Sequence, residues 1–196
     1  MQTGKRKGGL RGRLVIFCVS SGFVLAVALP CFANPEAMRH MAAGEAYLMA
    51  QRYEEALGRL VSAAEADSSL PNAPFLQAVA LNRLGRCEEA LAKIGEAVRL
   101  GCRNPEIPFE KGWALSGLKR WEEAIKELKA FDLSDPSRGK TAEFMGRAYL
   151  ALGHLKNAES AFNAAVERDA SLRETVDLFL SILKDRSGKG PEARRM

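Results

Sequence analysis

Few side chains in this sequence are spaced for chemistry. His40 and His154 stand alone, with no cysteine or carboxylate at a metal ligand's spacing, which argues against a zinc or copper site. Arg138-Gly139-Lys140-Thr141 has the shape of the end of a phosphate loop. Ser134, however, stands where that motif needs its first glycine, and no strand precedes it, so the segment reads as a loop entering a helix. Ser116-Gly117-Leu118-Lys119 has the spacing of a serine–lysine acylation motif without any supporting motif. Glu54-Glu55, Glu88-Glu89 and Glu122-Glu123 are adjacent pairs on helix starts, where carboxylates are solvated and do no acid–base work. The expectation is a non-catalytic protein with no cofactor, no metal and no small-molecule substrate.

Charge and hydropathy then divide the 196 residues. The net charge of +5 resides wholly in Lys5, Arg6, Lys7, Arg11 and Arg13, and from Asn34 onward 24 basic residues meet 24 acidic ones. A nucleic-acid binder is therefore not expected, since no basic face is left for phosphates. The basic opening precedes an apolar run, Leu14 to Leu29, which Pro30 ends; Cys31-Phe32-Ala33 then offers small residues at a cleavage spacing. Residues 1–33 are read as a signal peptide that leaves a mature chain beginning at Asn34 in the periplasm or outside the cell. The run falls short of the roughly 20 apolar residues that span a bilayer. Its retention as a membrane anchor over residues 14–29 is the alternative.

The elements that must position any binding surface follow from a repeat. Ala56, Ala90, Ala124 and Ala158 are 34 residues apart. Each is preceded at a constant distance by a tiny residue (Gly44, Ala78, Gly112, Gly146) and by Tyr47, Leu81, Leu115 and Tyr149. Leu60, Ile94, Leu128 and Phe162 follow, then Ala63, Ala97, Phe131 and Ala165. Each unit holds two segments of helical apolar spacing broken by a short polar stretch such as Leu84-Gly85-Arg86. The tiny residues let two helices approach closely, and no stretch alternates as a strand does. In this register Cys87 and Cys102 lie at opposite ends of one helix, about 22 Å apart, too far for the 4.4–6.8 Å of bridged Cα atoms; no disulfide is expected.

Gly44-Glu45-Ala46-Tyr47 with Arg52-Tyr53-Glu54-Glu55-Ala56, and Arg120-Trp121-Glu122-Glu123-Ala124, resemble the tetratricopeptide repeat. The resemblance covers residues 37–172 as four units, 37–70, 71–104, 105–138 and 139–172. The usual leucine before the tiny residue is replaced by Ala43, Gln77, Lys111 and Met145. It implies an all-α, right-handed solenoid of four helix-turn-helix repeats. Residues 173–184 supply a capping helix, with Val176, Phe179, Leu180 and Leu183 on one face, and 185–196 a disordered basic tail.

The resemblance also implies that the first helix of each pair lines a concave groove. Its lining is expected to be Met41, Glu45, Leu48 and Met49; Phe75, Val79, Asn82 and Arg83; Phe109, Trp113 and Ser116; and Glu143, Arg147 and Leu150. The partner-binding set is Met41, Glu45, Phe75, Val79, Arg83, Phe109, Trp113 and Arg147. Its stacked aromatic centre and its rim of Glu45, Arg83, Glu143 and Arg147 suit a peptide or protein segment docked through apolar anchors. Such a chain is expected to be an exported interaction scaffold in envelope assembly or secretion. Leu178 and Ile182, apolar on another side of the last helix, raise the alternative of a homodimer.

Overall fold

The computed structural model describes residues 34–188. The expected signal peptide or anchor, and residues 189–196 of the expected tail, lie outside the described residues. The described residues form nine α-helices and no strand. They are α1 (Pro35–Met49), α2 (Tyr53–Ala66), α3 (Asn72–Arg83), α4 (Cys87–Arg99), α5 (Ile107–Gly117), α6 (Trp121–Ser134), α7 (Gly139–Ala151), α8 (Leu155–Arg168) and α9 (Arg173–Gly188). The last helix runs four residues past the expected end of the cap, so 185–188 are helical and not part of a disordered tail.

Each odd-numbered helix packs on the even one that follows and also on the next odd one, which gives a solenoid with α1, α3, α5, α7 and α9 in one layer. The tiny residues set the closeness of each pair. A Cβ added to Gly44, Gly112 or Gly146 would lie 2.6 Å from a side-chain atom of Leu60, Leu128 or Phe162 respectively. Leu60, Leu128 and Phe162 are themselves fully buried. Ala78 keeps its methyl group where the facing residue is Ile94. The apolar residues of helical period thus become a continuous core, and each repeat completes its burial on its neighbours.

The turn inside each pair has one recurring geometry. The fifth backbone N–H past each Tyr47, Leu81, Leu115 and Tyr149 donates back to that residue's carbonyl at 2.9 Å. The residue just before each donor has positive φ: Gln51 at 58°, Gly85 at 75°, Lys119 at 59° and Gly153 at 77°. This is the helix ending that favours glycine, and two of the four repeats supply it. Arg52, Arg86 and Arg120, the donors in three of those turns, each fork onto the glutamate three residues on, Glu55, Glu89 and Glu123. These bonds hold the three carboxyls below the usual glutamate range. The pairs are fully exposed and add little stability.

The turn between pairs uses a second device, Asp-x-Ser. Asp67, Asp135 and Asp169 accept bonds from the backbone N–H and hydroxyl of Ser69, Ser137 and Ser171, hydroxyl distances being 2.6 Å. The second junction instead has Gly101 at φ 86°. These Asx turns shape three of the four junctions between pairs. The serine bonds hold all three carboxyls below the ordinary aspartate range. Their contribution is therefore present above that range and lost as the pH falls through the depressed values.

Candidate functional site: the concave face

The first helices bring the expected groove residues into one layer but do not expose them equally. Phe75 is 4% exposed, closed into a cluster with Ala97 and Cys102. Phe109 is 2% exposed, packed among Leu128, Phe131, Phe144 and Met145. Both rings are inter-repeat packing and neither is a free anchor, which corrects the stacked apolar centre expected from spacing. Asn82, Ser116 and Leu150 are buried as well, and Glu143, expected on the rim, is 1% exposed. Met41, Val79, Arg83 and Trp113 are half-buried, while Glu45 and Arg147 are exposed.

What faces the groove is a row of cations laid over rings. The Arg83 guanidinium sits 3.8 Å from the centroid of Trp113. The indole also meets Phe144 at 4.8 Å and Phe109 edge-on at 6.0 Å. Arg147 lies 5.4 Å from the Phe144 centroid and 5.5 Å from that of Phe179 on α9. Arg138, at the start of α7, lies 4.9 Å from the Phe109 ring.

Carboxylates underneath hold these cations. Glu110, 1% exposed, receives Arg83 through both terminal nitrogens, at 3.0 and 3.2 Å. Asn82 Nδ2 donates to the same carboxylate at 2.7 Å and to the Glu110 carbonyl at 2.8 Å. Arg138 forks onto Glu106, with one bond at 3.0 Å. Glu143 has Lys140 Nζ at 2.8 Å, an ion contact without aligned hydrogen-bond geometry, and Arg147 at 3.7 Å. Two charged residues therefore sit inside the fold. Glu110 takes the place that Leu76 and Phe144 hold in the neighbouring repeats, and Glu143 the place of Phe75 and Phe109. A carboxylate in an otherwise apolar column is a signal the sequence carries, and the reading by spacing passed over Glu110.

The remaining residues of chemical interest are scattered. His40 is half-buried on α1, and His154 is an exposed residue at the start of α8. Among the described residues no three His, Cys, Asp or Glu side chains converge as a metal site would require. Cys87 and Cys102 are both free and buried. The Cys87 sulfur lies against Gly117, and burial pushes its thiol pKa up. Cys102 donates to Asn72 Oδ1 at 3.3 Å. No described helix is long and apolar enough to cross a membrane.

Fold and site together define an α-solenoid of stacked helix hairpins with a concave aromatic–cationic face. Models of the tetratricopeptide repeat family match residues 75–138 and 142–172 of these hairpins. Among solved structures, the chain is similar to MamA (41-end) from Desulfovibrio magneticus RS-1. They share 21% identity and a TM-score of 0.68, over 83% of this chain and 92% of that one. It is also similar to YrrB, a tetratricopeptide repeat protein with an unusual peptide-binding site, with 21% identity, 74% of each chain and a TM-score of 0.60. A third similar structure is the first such domain of Spaghetti (RPAP3), bound to the HSP90 peptide SRMEEVD. Here the identity is 23%, over 61% of this chain and 95% of that one, with a TM-score of 0.55. No curated protein matches the chain significantly.

Proposed function

We propose that this chain is an exported, non-catalytic scaffold that holds a segment of a partner protein along its concave face, in the periplasm or outside the cell, in envelope assembly or secretion. The observation that carries the reading is Trp113, a half-exposed ring on the concave layer, held between Arg83 and Phe144. Tryptophan and arginine are the side chains that most often dominate binding, above all when prepositioned. Two structural neighbours, YrrB and the Spaghetti domain, are described with peptide sites or a bound peptide. Because Phe75 and Phe109 are closed into the core, the contact surface reduces to Met41, Glu45, Val79, Arg83, Trp113 and Arg147.

Trp113→Ala tests the groove without removing a buried ring. The variant is expected to keep its helical circular dichroism and to lose a captured envelope protein about 30-fold or more in affinity. Equal capture by both forms would remove the concave face from consideration. Export is tested on protein recovered from cells. N-terminal sequencing is expected to begin at Asn34, whose side chain already caps α1 by accepting from Glu36 N at 3.0 Å. A chain that keeps residues 1–33 and pellets with membranes would favour the tethered form instead. A second reading, self-association through α9, is favoured by Leu178 at 62% and Ile182 at 36% exposure. Sedimentation showing a monomer at high concentration would exclude it.

A further inference from the structure

A cleft of about 480 Å³ lies between α6 and α8, floored by α7. Met145, Ala161 and Tyr149 form its apolar part, and Lys129, Lys156 and Asn157 its polar part. Asp132 and Arg168, also in its lining, pair across it and tie α6 to α8. That aspartate is thereby neutralised, whereas Lys129 and Lys156 have no ion pair among the described residues. Lys129 instead lies 5.8 Å from the Tyr149 ring centroid.

The register of 34 explains why there is room here. One repeat earlier, the places of Met145 and Ala161 are held by Lys111 and Glu127, which form an ion pair at 2.8 Å. In the last repeat the pair has become a thioether and a methyl group. Polar chains that fill the surface at one junction are thus absent from the next, and an apolar floor with two uncommitted ammonium groups is left.

We infer that this α6–α8 cleft is a second docking site, which takes an acidic segment of a partner protein with one bulky apolar side chain seated on Met145 and Ala161 and flanking carboxylates on Lys129 and Lys156. The charge of the rim selects acidic flanks, since two lysines without partners favour anions and repel a basic segment. The volume and apolar floor select one large side chain. Its lining shares no residue with the groove set that contains Trp113.

The test uses the chain from Asn34 onward, whose five methionines, Met38, Met41, Met49, Met145 and Met196, each give one methyl signal in protein labelled with ¹³C-methyl methionine. Titration with the blocked pentapeptide EEFEE is expected to shift Met145 while leaving Met41 and Met49 unmoved. The peptides KKFKK and EEAEE should leave Met145 in place. Lys129→Gln with Lys156→Gln, both exposed positions, should weaken the EEFEE response about five- to tenfold, as the loss of two surface ion pairs implies. Ala161→Glu, which sets beside Met145 the carboxylate that Glu127 supplies one repeat earlier, should fill the cleft and abolish the Met145 response; the lysine variant serves if that change fails to fold. A Met145 signal that never moves overturns the site. Equal response to KKFKK, or an unchanged response after loss of both lysines, overturns its charge selectivity. Shifts confined to Met41 and Met49 would assign the peptide to the concave face alone and leave the groove reading standing.

Discussion

Phe109→Ala is expected to lower the stability of the solenoid by about 3–5 kcal/mol, the range for deleting a buried phenylalanine. The ring is 2% exposed, meets Phe131 at 5.4 Å and Phe144 at 6.1 Å, and packs on Leu128 and Met145. These partners come from α6 and α7, so one side chain ties the third hairpin to the fourth. Its removal strips transfer energy and leaves a void that helices on both sides cannot fill at once. It also removes one ring beneath the Arg138 guanidinium and one beside Trp113. Chemical denaturation followed by far-ultraviolet circular dichroism reads the effect directly. A midpoint unchanged within error would mean that the ring is not part of the core and would restore it as a groove anchor. Trp113→Ala, by contrast, should move the midpoint far less.

The second large effect belongs to the buried carboxylate. Arg83→Met alone should destabilise by about 3 kcal/mol, because it leaves Glu110 shut away with only Asn82 to satisfy it. Adding Glu110→Leu should recover most of that loss, since Leu76 stands at the same position one repeat earlier and an apolar pair of similar volume is often as stable as a buried ion pair. Denaturation midpoints of the two single variants and the double variant form a cycle. Strict additivity in that cycle would show that Arg83 and Glu110 do not act as a pair. The recovered double variant has a further use. If it folds well but loses partner capture, Arg83 and the carboxylate that holds it serve the concave face and not stability. Such an outcome ties the buried charge to the concave face.

Much of this architecture is written in the residue columns. A spacing of 34 can be read because each hairpin repeats one close contact, and a close contact tolerates only glycine or alanine at Gly44, Ala78, Gly112 and Gly146. The left-handed turn residue was legible at Gly85 and Gly153 but not at Gln51 and Lys119, which adopt the same backbone without the side-chain signature. The Asp-x-Ser turns were equally present in the sequence, at Asp67, Asp135 and Asp169, and look unremarkable until their bonds are seen.

The sequence by itself determined the helix hairpins, their number within residues 37–172 and the layer in which each first helix lies, because close packing restricts residue size column by column. Only the tertiary structure decided which members of that layer face the groove. Phe109 and Trp113 are four residues apart on α5, so they share one stripe of the helix, and helical spacing cannot separate them. Phe131 of α6 and Phe144 and Met145 of the following hairpin cover the first, and the second is left half-open under Arg83. Glu110 follows the same logic. Its charge was visible in the chain, but its burial arises only when α3 brings Asn82 and Arg83 against it, because a carboxylate can be buried only where its partners arrive with it.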